Sequence, residues 1–85
     1  MNNDYKKKQE TQETTITSFE RLANTTNGNP MYRLHTPHGV VTTAKDDMLT
    51  YSLSPNYATG KRAIITYHYN KKEDQAILDF IEFIT

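Results

Sequence analysis

The chain has 85 residues, enough for one domain, with ten Lys and Arg against ten Asp and Glu and no Cys. This composition excludes a disulfide or thiolate metal site as a staple, and no apolar run approaches the roughly 20 residues that span a bilayer. Balanced charge also argues against non-specific nucleic-acid binding, which needs an excess of basic residues. We therefore expect a cytoplasmic protein without a membrane segment or cofactor, whose core comes from apolar packing.

Residues 1–13 contain no aliphatic side chain beyond Met1 and include the basic run KKK at 6–8. Such a segment cannot offset its ordering entropy by burial, so it is predicted to be a disordered tail. A solvated tail is the simpler interpretation of the three lysines, although they would suit an acidic partner. The folded domain is then predicted to span residues 14–85.

The first predicted strand is TTITSFERL at 14–22, because Thr, Ile and Phe suit a pleated surface. Neither of its faces is cleanly apolar, so the strand is expected to face two environments. ANTTNGNP follows, and Asn27-Gly28 favours a type I′ hairpin turn. Pro30 cannot donate to a ladder and suits the first position of the next strand.

MYRLHT at 31–36 is the second predicted strand, and it places Tyr32 and Leu34 on one face and Arg33 and His35 on the other. PHG at 37–39 is a turn, and the β-branched run VVTTA at 40–44 is the third strand. Three consecutive strands with short turns predict a meander.

KDDMLTYSL begins with Asp46 as a plausible N-cap and has helical spacing at Met48, Leu49 and Ser52. We predict a helix of about two turns there, although the same segment also alternates like a strand. SPNYATG is predicted to be a loop. RAIITYHYN at 62–70 is the clearest strand, with Tyr67 and Tyr69 on one face.

AILDFIEFI at 76–84 fits two structures. Asn70 followed by Glu73 resembles a capping box, which favours a helix. The Ile and Phe content favours a strand, and a strand paired with 62–70 would shelter the apolar faces of both. The residues alone leave the two equal.

One stretch resembles a diffuse, uncharacterised group of small proteins carried by phages and plasmids. The matching positions lie within 21–51, and Met31 stands where the group usually has Arg. They are Arg21, Leu22, Asn27, Gly28, Asn29, Pro30, Tyr32, Arg33, Gly39, Thr43, Asp47 and Tyr51. The resemblance implies an origin in a mobile element and a C-terminal strand rather than a helix.

Five short strands with a helix before the fourth predict a mostly-β fold, a small barrel of the OB or SH3 kind with the order β-β-β-short α-β-β. Closing the sheet would remove exposed strand edges, which benefits a chain without disulfides.

No motif predicts catalysis. The three glycines fall in predicted turns rather than in a phosphate loop, and a domain of this size has little room for a converging nucleophile, base and orienter. His35, His38 and His68 raise the question of a metal, but surface histidines are the simpler interpretation. The protein is therefore predicted to be neither an enzyme nor a metalloprotein.

Six tyrosines predict a binding surface, since Tyr and Arg are enriched at protein interfaces. The alternative places Tyr67 and Tyr69 in the core. We predict a protein of a phage or mobile element that occupies a surface of a host or phage protein, for instance to inhibit a host defence system. Single-stranded nucleic acid, stacked on barrel aromatics, is the second predicted partner, and a virion or other oligomeric structural role is the third. The candidate interface residues are Phe19, Arg21, Tyr32, Arg33, His35, Tyr57, Arg62 and His68.

Overall fold

The computed structural model describes residues 8–84. Six strands dominate it, so the mostly-β class is confirmed. In chain order the elements are β1 (Gln9–Thr15), β2 (Ser18–Leu22), β3 (Met31–Thr36), β4 (Gly39–Thr43), a 3₁₀ helix (Met48–Ser52), α1 (Pro55–Ala58), β5 (Arg62–Asn70) and β6 (Gln75–Phe83).

The strands form one sheet in the order β1-β5-β6-β4-β3-β2. The predicted meander is confirmed by antiparallel pairing of β2 with β3 and of β3 with β4. The ambiguous C-terminal segment is the strand β6, which pairs antiparallel with β5 and parallel with β4. The sheet is mixed and has six strands where five were predicted.

The two edge strands, β1 and β2, are consecutive in the chain and separated only by Ile16 and Thr17. Three residue steps reach at most about 11 Å, so the edges of the sheet approach each other at this corner. Ile16 bonds to the backbone of Gly60 and Lys61, and Thr17 donates to His35 O at 2.8 Å. The sheet therefore curls strongly, but it is not closed, and the predicted barrel is not confirmed.

β1 begins at Gln9, inside the segment that was predicted to be a disordered tail. It pairs with β5 along its whole length, from Gln9 opposite His68 to Thr15 opposite Arg62. Backbone hydrogen bonds to the long strand β5 supply the stabilisation that the polar side chains of residues 9–13 cannot supply by burial. The folded domain thus starts before residue 14, and the rest of the predicted tail, 1–7, lies outside the described residues.

The core lies between one face of the sheet and the segment 48–58. The largest fully buried apolar side chains are Ile16, in the bend between β1 and β2, and Leu34, Ile65 and Leu78 in the sheet. Leu53 from the covering segment is 6% exposed. Leu49 packs on the same cluster. The opposite face of the sheet, which we call the outer face, carries the ion pair of Glu20 and Arg33 together with apolar side chains such as Ile77 and Phe80.

The predicted helix is present as a five-residue 3₁₀ helix, and its cap is one residue later than predicted. The carboxylate of Asp47, not Asp46, accepts the Leu49 N–H at 2.9 Å. Asp46 instead has a left-handed backbone, with φ of 59°. The predicted loop at 54–60 contains α1, which begins with Pro55 in the first turn.

Candidate functional site

The loop between β2 and β3 is organised around one carboxylate. Asp46 accepts hydrogen bonds from Thr25 Oγ1 at 2.5 Å, Asn27 Nδ2 at 2.9 Å and Asn29 Nδ2 at 2.7 Å. Tyr51 adds a bond to Asn29 Oδ1 at 2.5 Å. Bonds from Thr25, Asn29 and Asn27, in that order, lower the pKa of Asp46 below its ordinary value.

The prediction of a type I′ turn is wrong, because that turn needs a positive φ at both central residues and only Gly28, not Asn27, has one. The chain closes with Gly28 N–H bonded to Thr25 O and Thr25 N–H bonded to Asn29 O. This is the pattern of a three-residue turn that ends in a left-handed glycine. The asparagines of the turn are then free to reach the Asp46 carboxylate.

Three of the candidate interface residues meet on the core-facing side of β2 and β3. Phe19 and Tyr32 form an edge-to-face pair with 5.8 Å between ring centroids, and the Arg21 guanidinium lies 5.4 Å from the Tyr32 centroid. Arg21 also donates to Leu22 O at 2.7 Å and to the side chain of Asn24. We call Phe19, Arg21 and Tyr32 the edge cluster, since β2 is an edge strand.

Arg33 and His35 lie on the outer face, as the predicted alternation requires. Both contact Glu20, with Arg33 Nη1 at 3.1 Å and His35 Nε2 at 3.3 Å from its carboxylate oxygens. Bonds from His35 and then Arg33 lower the pKa of Glu20. The positive charge of Arg33 is thus already paired.

The other candidate residues lie elsewhere. Tyr57 packs edge-to-face on Phe83 at 5.7 Å and contacts Lys61. Arg62 forms an ion pair with Glu13 at 2.7 Å. The eight predicted residues therefore do not form one surface, and only the edge cluster and the Arg33–His35 pair are brought together.

The two tyrosines of β5 differ from each other. Tyr67 is half-buried and packs on the core, whereas Tyr69 is 57% exposed. Its hydroxyl donates to Asp74, and this bond raises the pKa of Tyr69. The core interpretation holds for Tyr67 alone.

His68 is 7% exposed and its Nδ1 lies 2.8 and 2.9 Å from the two carboxylate oxygens of Asp79. The pairing of β5 with β6 passes from Thr66 opposite Phe80 to Tyr67 opposite Leu78, so Asp79 is the extra residue of a β-bulge. Gln9 Nε2 donates to the same carboxylate at 3.1 Å. Sequence reasoning missed Asp79, because no residue pattern marks this bulge.

Among residues 8–84, no group of three or more His, Cys, Asp or Glu side chains is arranged to hold a metal ion. His38 is exposed in the β3–β4 turn, apart from the carboxylate partners of His35 and His68. In the same part of the chain, no helix has the length and apolar character needed to cross a membrane.

Comparison of the chain with protein-family models, with curated proteins and with solved structures gives no match. The geometry of the site is therefore the basis for a functional assignment. An origin in a phage or other mobile element stays a prediction from the resemblance.

Proposed function

We propose that the protein acts by binding rather than by catalysis, and that it binds an extended segment of another protein along the outer edge of β2. The observation that carries this proposal is the position of the edge cluster beside backbone groups that pair with no described strand. Addition of a strand to an open sheet edge is a common mode of peptide recognition.

The backbone of β2 offers hydrogen-bonding groups at two positions. The Tyr32 N–H donates to Thr43 Oγ1 of β4 at 3.0 Å, so the backbone of Tyr32 points away from β2. Its partner Arg21 is therefore a non-hydrogen-bonded position, and so is Phe19 two residues before it. The N–H and C=O groups of Phe19 and Arg21 point to the outer edge, while those of Glu20 point to β3.

The side chains define the chemistry of the partner. Phe19 and Arg21 are two residues apart on one face, so a strand added beside them meets both. An apolar side chain would pack on the half-buried Phe19 ring, and an acidic one would complement the exposed Arg21 guanidinium. The partner is thus a protein segment in which an apolar and an acidic residue are separated by one position.

In its wider role, the protein uses its own small, barrel-like scaffold to occupy a surface of a host or phage protein. It could act in this way as an inhibitor of a host defence system. The small size, the balanced charge and the resemblance to proteins of mobile elements support this role. The small size of the domain fits a single strand-addition site, which needs a rigid edge and few specific pockets.

Selection from a display library of random ten-residue peptides tests the proposal. We expect the full chain to enrich peptides with the pattern of an apolar and an acidic residue separated by one position, read as apolar-x-acidic for a parallel added strand and as acidic-x-apolar for an antiparallel one. Arg21→Gln should weaken their binding about tenfold, the effect of about 1.4 kcal/mol, and the matched variant Arg62→Gln should leave it unchanged. Circular dichroism of each variant verifies that the fold is retained.

Amide hydrogen exchange gives the backbone readout. On peptide binding, the amides of Phe19 and Arg21 should become protected, whereas that of Glu20, already bonded to β3, should change little. Selected peptides that lack the pattern, or protection that appears away from β2, would contradict the proposal.

A further inference from the structure

A cleft of about 510 Å³ with both polar and apolar lining opens on the outer face, between the β2–β3 loop and the β5–β6 hairpin. Its volume lies in the range of small-molecule sites, roughly 300–1,000 Å³. Met31 and Ile77 contribute apolar surface, and Asn24, His68 and Asn70 contribute polar groups. The cleft shares no side chain with the edge cluster.

His68 presents an unused nitrogen in this cleft. Nδ1 lies against the carboxylate of Asp79 and donates to it, which leaves Nε2 as the acceptor nitrogen of that tautomer. Nε2 makes no hydrogen bond to any described residue, and within 8–84 the only fully buried side-chain polar atom without a partner is Thr14 Oγ1. Nε2 is therefore not fully buried, and because His68 lines the cleft, we infer that Nε2 is reached from there.

The charges of the cleft disfavour an anionic ligand. Beside His68, the acidic and basic side chains that line it are Lys45, Glu73 and Asp79, whose formal charges sum to one negative charge. A cation also gains little, because Asp79 already accepts from His68 and Gln9, and Glu73 accepts from Gln75 at 2.9 Å. A neutral ligand fits this balance.

Two amides supply donors to the cleft. The Oδ1 of Asn24 accepts from Arg21, and the Oδ1 of Asn70 accepts the Glu73 N–H at 3.1 Å. Neither Nδ2 group bonds to a described residue, so both remain as donors. The cleft therefore combines one acceptor, Nε2 of His68, with donors from two asparagines and an apolar floor.

We propose that the cleft binds a small neutral heterocycle with an imide group, as in a uracil-type base. Its N–H donates to His68 Nε2, its carbonyl oxygens accept from Asn24 and Asn70, and its ring covers Met31 and Ile77. Amide side chains and base edges form such hydrogen bonds in nucleic-acid recognition. The site is connected to the edge cluster through the bond from Arg21 to Asn24 Oδ1.

Titration of the ¹⁵N-labelled full chain with uridine, followed by NMR, tests the proposal on the unmodified protein. We expect saturable shift changes at residues that line the cleft, and binding at least tenfold weaker for N3-methyluridine, which lacks only the imide proton. Cytidine, which replaces that donor with an acceptor, should also bind at least tenfold more weakly.

The variant Asn70→Asp, which keeps the Oδ1 acceptor but removes the Nδ2 donor at the exposed end of the cleft, should weaken uridine binding. His68→Gln should do the same, but burial of His68 makes that variant prone to misfolding, so the ligand analogues carry the decision. Absence of cleft shifts with uridine, or equal affinity for N3-methyluridine, would overturn the proposal.

Discussion

The Thr14 hydroxyl is buried without a hydrogen-bond partner among the described residues, at a position that is 2% exposed. A buried polar group without a partner costs about 1–3 kcal/mol. Thr14→Val keeps the shape and removes the hydroxyl, so we expect the free energy of unfolding to rise by about 1 kcal/mol. Urea denaturation followed by circular dichroism measures the change.

Thr14→Ser is the matched control for that substitution. It keeps the hydroxyl and deletes a buried methyl group, so it should lower stability by about 1 kcal/mol. If Thr14→Val were also destabilising, the hydroxyl would have a partner that residues 8–84 do not provide.

Asp46 makes the free energy of unfolding depend on pH. Its folded-state pKa is lowered by the bonds from Thr25, Asn29 and Asn27, from an ordinary value of 3.8. The unfolded chain therefore binds the proton more readily, and the stabilisation is present at higher pH and is lost as pH falls through the folded pKa. We expect the urea concentration at the midpoint of unfolding to decrease below about pH 4. Glu20, whose pKa is lowered by His35 and Arg33, contributes in the same direction.

The substitution Asp46→Asn isolates this carboxylate. Asn tolerates the left-handed backbone at this position but offers one acceptor oxygen in place of two. The variant should have a lower melting temperature at neutral pH and a smaller loss of stability on acidification. An unchanged acid profile would assign the dependence to other carboxylates.

At the scale of elements, sequence patterns predicted the strands that carry strong β-branched or aromatic content. β3 and β5 have the predicted bounds of 31–36 and 62–70. The single strand predicted at 14–22 is wrong, because the chain bends at Ile16 and Thr17, so that Thr14 and Thr15 end β1 and residues 18–22 form β2. Residues 9–13 of β1 were missed, because Gln, Glu and Thr give no burial signal and this part of the strand depends on a neighbour over 50 residues away. Residues alone also left β6 undecided, since its helical and strand patterns are equally good locally.

Deletion of residues 1–13 tests the role of β1. It removes Gln9–Glu13, uncovers the edge of β5 and breaks the Gln9 bond to Asp79. We expect a loss of about 2 kcal/mol or more in the free energy of unfolding, because several ladder bonds of about 0.5–1.5 kcal/mol each are lost. Thermal unfolding measures it.

Deletion of residues 1–7 is the control, since it removes none of the described contacts. It should change stability far less than the longer deletion. Equal stability of the two shortened chains would indicate that residues 9–13 belong to the predicted disordered tail.

For the whole molecule, topology explains why the candidate site could be predicted only in part. The chain bends at Ile16 and Thr17, so one segment supplies both edges of the curled sheet. The predicted alternation correctly separated Tyr32 from Arg33, but no local pattern shows which residues of distant strands share a face. His68 was grouped with Arg33 and His35 in one candidate interface, whereas the bulge at Asp79 gives it a separate partner.

The balance of charge over the whole molecule leads to a prediction about nucleic acid. The chain has ten basic and ten acidic residues, and Arg33 and Arg62 are each paired with a glutamate. Because the acidic residues offset the basic ones, little net positive charge is available to replace the counterions of a phosphate backbone. We therefore expect no binding of oligo-dA, whose bases lack an imide group, in fluorescence anisotropy at about 0.15 M salt. The double variant Glu13→Gln, Glu20→Gln frees both arginines and should bind at low salt, with affinity that falls steeply as salt is added. Tight binding by the unmodified chain at physiological salt would instead favour single-stranded nucleic acid over a protein segment as the partner.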